Sequence, residues 1–117
     1  MRMGIIKENQ MSAIISWDDA EQREQLDDPR GYSKAYVSAE HVGMHVSVIK
    51  PRMRAHDPHQ HDGEEIYFIL EGEAEVTIED EAFIVKANTA IFVNGPKMHG
   101  IRNSGDGVLK YMVIIAK

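Results

Sequence analysis

The sequence predicts an all-β fold on three observations. Apolar and polar residues alternate with period two through much of the chain, Gly, Pro, Asn and Asp break that alternation at short intervals, and helical signal occurs once. Eight or more short strands at this spacing make a sandwich or barrel. The 117 residues amount to one domain, and with 43% apolar and 27% charged residues they can bury a core without staples. The expected organisation is an N-terminal strand and short helix over 1–33, packed on a β-barrel over 34–117.

The helical signal runs from Ser16 to Leu26. Ser16 is a good cap and the acids after it suit a helix N-terminus. The apolar face is thin (Trp17, Ala20, Leu26), so the expectation is a short helix or turn, ended by Pro29 and Gly31. Strands follow. Tyr36 to Ala39 is the first, then Val42 to Lys50, where Val42, Met44, Val46 and Val48 share a face and Pro51 ends the run. Glu65 to Leu70 is rich in aromatic and β-branched residues and closes at Glu71-Gly72. From Glu73 to Glu79, Ala74, Val76 and Ile78 face in and Glu73, Glu75 and Glu79 face out; Asp80-Glu81 turns this into Ala82–Val85, a hairpin by pattern. Ala90 to Val93, a short segment around Ile101, the Ser104–Gly107 turn and a last strand from Val108 to Ala116 complete the set. Phe68, Ile78, Phe83, Phe92 and Met112 are expected in the core or a pocket wall.

Charge and composition exclude several functions. A net charge of −6 disfavours a nucleic-acid partner, which needs a basic footprint. Ten Asp or Glu and no Lys or Arg lie between Ala55 and Val85, and strand alternation accounts for several of them as a solvated face. With no cysteine there is no disulfide, thiol nucleophile or Cys-ligated metal. The longest apolar run, Tyr111 to Ala116, falls far short of the ~20 residues that span a bilayer. Met1 to Glu8 lacks the apolar core of a signal peptide. A cytoplasmic domain with no membrane partner is therefore expected.

Three of the six histidines crowd into His56-Asp57-Pro58-His59-Gln60-His61. In an extended segment His59 and His61 share a face. Gly63 can turn the chain so that Glu65 comes back toward both imidazoles, and His99 offers a fourth ligand from a later segment. His56 has the wrong spacing for this set and is expected at the pocket mouth, while His41 and His45 are expected in satisfied or exposed polar roles. Tyr67, two residues after Glu65, faces the same side, either as packing or as a proton donor or substrate anchor.

His59-x-His61-x3-Glu65-x6-Gly72 resembles the first signature motif of the cupin superfamily, and Pro96, His99 and Asn103 resemble part of the second. The departures fall in turns: Met53 stands where many cupins have Gly, Asn88-Thr89 replaces a Gly-Asp turn, and the Pro-x-Gly element reads Gly95-Pro96. The resemblance implies a jelly-roll double-stranded β-helix and a divalent metal held by His59, His61, Glu65 and His99. It places Asn103 at a turn or behind the ligands. It also implies a homodimer formed through sheet edges and N-terminal strands, with Met11 to Ser16 a candidate for such an edge.

Three neutral imidazoles and one carboxylate suit Fe, Mn, Ni, Cu or Zn and leave coordination positions for water, O2 or substrate. The expected function is a small metal-dependent enzyme, a dioxygenase before a lyase, isomerase or decarboxylase, acting on a compact oxygen-rich substrate that chelates the metal. Glu65 and Tyr67 are the candidates to move a proton. The alternative is a non-catalytic module binding a sugar or other small ligand, or acting as a sensor.

Overall fold

Period-two alternation becomes paired strand in nearly every place it occurs. A computed structural model of the chain describes residues 12–23 and 30–117. Among these residues nine strands form and no helix: β1 (Glu21–Arg23), β2 (Gly31–Ser38), β3 (Val42–Ile49), β4 (Glu64–Glu71), β5 (Glu73–Ile78), β6 (Glu81–Lys86), β7 (Ala90–Asn94), β8 (His99–Asn103) and β9 (Leu109–Ala116). They make a six-stranded sheet in the order β1-β2-β3-β9-β4-β7 and a three-stranded sheet in the order β6-β5-β8. Every pairing is antiparallel.

The core lies between the sheets. Ile49, Ile69 and Leu109 from the large sheet and Ala74, Val76 and Ile101 from the small one are almost completely buried together. The expected hairpin forms as β5 and β6, turning at Glu79, whose φ is 52°. Asn88 takes a φ of 67° in the turn before β7, a conformation that Asn tolerates better than most residues, so it serves where the family pattern has Gly. The Asn88 and Ile69 amides tie that turn to β4 through the Ile69 and Thr89 carbonyls, at 2.7 and 3.0 Å.

Of the helix or turn expected at Ser16, the turn forms. Asp19 and Ala20 donate their amides to the Ser16 carbonyl, at 3.2 and 3.0 Å, and the Asp19 amide also reaches Ser16 Oγ at 3.2 Å. The chain is already extended as β1 by Glu21. Trp17 supplies the reason: its ring packs beside Tyr32 and Tyr36, with Lys34 Nζ 4.7 Å and Lys110 Nζ 4.4 Å from its centroid. One large side chain thereby docks on the sheet, which a thin helical face would not. Residues 24–26 of the helix reading and Met11 lie outside the described residues, and 12–16 form no strand.

Four aromatic or apolar placements need correction. Phe92 is 59% exposed, because Ile91 and Val93 on either side of it turn inward and Val93 is fully buried. Phe83 is 46% exposed, since β6 is an edge strand that none of the described strands flanks on its far side. Phe68 and Met112 are register partners that alternate with the inward residues Tyr67, Ile69, Tyr111 and Val113, so they are half-buried on the outer face of the large sheet. Ile78 does pack against the core.

Candidate metal centre

Three segments bring four candidate ligands together at one end of the core. Glu65 points inward from β4, and His99 opens β8 in the other sheet. His59 and His61 come from the connection between β3 and β4, which backbone hydrogen bonds hold against its neighbours. His59 and His99 each donate an amide to the other's carbonyl, at 2.9 and 2.8 Å, and His61 N donates to the Gly95 carbonyl at 2.9 Å. The Gly95 amide donates in turn to the Gly63 carbonyl at 2.9 Å, closing the turn in which Gly63 takes a φ of 88°.

Gly95 is needed for that closure. A Cβ there would run into the Gly63 carbonyl and lie 2.6 Å from the His61 carbonyl and 2.8 Å from His61 Nδ1. Gly95→Ala is therefore expected to displace His61 and weaken metal binding by about 10–100-fold, the usual cost of disturbing a ligand's support. A metal titration of the variant with an unchanged affinity would refute this.

One ligand atom from each of His59, His61, Glu65 and His99 lies within 4.8 Å of the others. Glu65 and His99 are buried, His61 is half-buried and His59 is exposed. His61 Nδ1 lies 2.8 Å from the Asp62 carbonyl and His99 Nδ1 2.7 Å from the Lys97 carbonyl. A carbonyl only accepts, so each Nδ1 carries a proton and each ring turns its Nε2 toward Glu65 Oε1, that of His61 at 3.3 Å. His99 Nε2 is fully buried, 2.8 Å from Glu65 Oε1, yet makes no hydrogen bond. A buried imidazole nitrogen and a carboxylate oxygen brought this close are what a shared cation satisfies. The donor set fits a divalent metal.

Protons compete for the same site. The hydrogen bond to the Asp62 carbonyl, helped by the Glu65 carboxylate, raises the His61 pKa against the opposing effect of burial. Burial and the neighbouring His56, His99 and His61 lower that of His59. Metal ligands must be deprotonated, so His61 would set the acid limb of any metal uptake here. Apparent affinity is expected to fall as pH drops through a value above the ordinary imidazole 6.5, and a limb at or below 6.5 would contradict the assignment.

A cavity of about 550 Å³ opens beside the cluster, lined in part by His45, Ser47, Tyr67 and Tyr111. Tyr67 is on the ligand side as expected; burial first, then the Glu65 charge, raises its pKa far above the phenol value. Tyr111 is pushed up to about 12, chiefly by burial. His56 stacks on His59 at 4.3 Å and lines the cavity without joining the cluster. His41 is exposed next to Glu40, whereas His45 faces the cavity. Arg30, Ser47 and Tyr111 are lining residues that sequence reasoning missed. For Ser47 the signal was present in β3, where it and His45 alternate with the valine face. Asn103 proves to be a turn residue: it holds the Gly105–Gly107 loop through three side-chain hydrogen bonds, two of them inside that turn.

The sequence profile of the cupin domain family matches residues 45–115. No curated protein matches the chain. Among solved structures, an RmlC-like cupin from Shewanella frigidimarina superposes with a TM-score of 0.77 at 14% identity, covering 92% of each chain. A cupin superfamily protein from Desulfitobacterium hafniense gives 0.65 at 24% identity, covering 72% of this chain and 74% of that one. The DMSP lyase DddQ from Ruegeria pomeroyi gives 0.68 at 21% identity, over 84% of this chain and 56% of the lyase. These likenesses are of fold.

Proposed function

The chain belongs to the cupin family, and from that premise we propose that it is a metal-dependent enzyme acting on a small, oxygen-rich substrate that chelates the metal. The observation that carries this is the buried, close approach of His99 Nε2 to Glu65 Oε1 within a cluster of three histidines and one glutamate. His59, His61, Glu65 and His99 would hold the ion. A divalent metal bound there would supply Lewis-acid activation of substrate oxygens or, with iron, copper or manganese, a route for O2 chemistry. We place dioxygenation first among the reactions to test, ahead of lyase, isomerase or decarboxylase chemistry.

The chain's own groups have defined tasks in this reading. Val113 and Ile115 make an apolar wall that keeps water from a bound substrate. Tyr67, protonated across the whole working pH range, donates a hydrogen bond to a substrate oxygen or to Glu65. Glu65 can take a proton with the oxygen not committed to the ion.

The test is metal content by mass spectrometry on untagged protein beside His61→Ala and Glu65→Ala. Near-stoichiometric metal in the native chain, lost in both variants, is expected. No metal after reconstitution would overturn the enzyme reading and leave a ligand-binding or sensor barrel. Oxygen uptake with catechols, diketones and enols then separates dioxygenation from the other reactions.

We further propose a homodimer. Met44, Ile114, Ile66 and Phe92 are successive register partners across four strands and form an apolar row on the outer face, with Ile66 39% and Phe92 59% exposed. Light scattering at ~50 µM that gives a monomer would remove this.

A further inference from the structure

Resting on the metal reading above, we infer that the cavity takes an organic dianion: one end chelates the metal, and a carboxylate at the other end is read by Arg30. The charges lining the cavity carry the inference. Glu65 is the one acid among the lining residues, and its carboxylate faces His61 and His99. A divalent ion with a single carboxylate ligand keeps a net positive charge. Arg30 is the one permanently charged cation in the lining. The interior surface offered to a ligand is therefore cationic at two points, inside a chain whose net charge is −6.

Arg30 is built for recognition. Its Nη1 donates to the Ala55 carbonyl at 3.0 Å, which fixes the guanidinium at the cavity wall. Its own carbonyl accepts from the Lys50 amide at 2.9 Å, which fixes the backbone. Among the described residues no carboxylate pairs with it, and the remaining N–H donors of its fork have the geometry that a carboxylate accepts. Val113 and Ile115 provide apolar surface for the hydrocarbon of the ligand. A neutral ligand would leave the guanidinium half-desolvated without a counter-charge, which is the basis for rejecting it.

The probes are 2-oxo diacids with two to four methylenes between their carboxyl-bearing ends, each against the 2-oxo monoacid of equal length. Binding is measured by calorimetry on metal-free and Ni2+-loaded protein, for the native chain, Arg30→Gln and Arg30→Lys, with folding and metal content checked on every sample. The native chain is expected to favour at least one diacid over its monoacid by roughly ten- to a hundred-fold. Arg30→Gln should erase that preference while retaining metal, and Arg30→Lys should keep part of it. Equal binding of both series to the native chain, or a preference that survives in Arg30→Gln, would overturn the inference. Should Arg30→Gln fail to fold, the native comparison and Arg30→Lys still decide. Failure of the metal reading looks different: no Ni2+ is retained, and loading adds nothing to either series, while the diacid preference on the metal-free chain still reports on Arg30.

Discussion

Asn103→Leu is expected to cost about 3–5 kcal/mol of stability, a large share of the 5–15 kcal/mol available to a domain. Asn103 is fully buried. Its Nδ2 donates to the Ile49 carbonyl at 3.0 Å and to the Gly107 carbonyl at 2.8 Å, and its Oδ1 accepts from the Gly105 amide at 2.9 Å. Leucine is at least as large, so no cavity opens, but three backbone groups lose their partner. The Ile49 carbonyl is the worst placed, being buried at the end of β3. Asn103→Asp should be no better, because a carboxylate cannot donate to either carbonyl. Urea unfolding checks this as a lower midpoint at an unchanged slope. A loss below about 1 kcal/mol would mean the turn finds other partners.

Metal saturation is expected to produce the second large effect. At a free metal concentration a thousand times Kd, binding to the folded chain alone adds about 4 kcal/mol. For a domain of this size that is a rise in Tm of roughly 10–16 °C. Glu65→Gln should abolish the rise: the amide keeps the side chain's shape but loses the charge that faces His99 Nε2 at 2.8 Å. Scanning calorimetry with and without metal measures both proteins. A comparable rise in Glu65→Gln would show that the metal sits elsewhere.

Sequence alone made the cluster of His59, His61, Glu65 and His99 legible because its signal is spacing. His59 and His61 two apart on an extended segment, with Glu65 beyond a glycine turn, converge in the structure as alternation and turn chemistry require. The hairpin at Asp80 was legible for the same reason. The cavity lining was harder to read. In β3 the valines make the more conspicuous pattern, yet His45 and Ser47 face the cavity, because an interior left open and lined by polar groups inverts the rule that polar residues face out. Arg30 precedes β2 in a stretch with no clear periodicity, and only tertiary contact with Ala55 places it. Gly31 to Ala35 was missed as strand because Ser33 and Lys34 break the apolar alternation, although Ser33 and Ala35 are both buried. Phe83 and Phe92 were misjudged because size and hydrophobicity do not reveal which strands lie at an edge or which face a strand turns outward.

The paired backbone bonds between His59 and His99 have a kinetic consequence. They join the two residues through the backbone, independently of their side chains, so loading the site would not require the loop to be searched for and recaptured. Amide hydrogens at both residues should exchange with solvent slowly, at similar rates before and after loading, and the cation's arrival should be limited by shedding its own water rather than by the protein. A site of this kind would behave as a standing receptacle: an ion held there could be traded for another as supply changes, so its occupant would follow the ions on hand rather than those present when the fold was made.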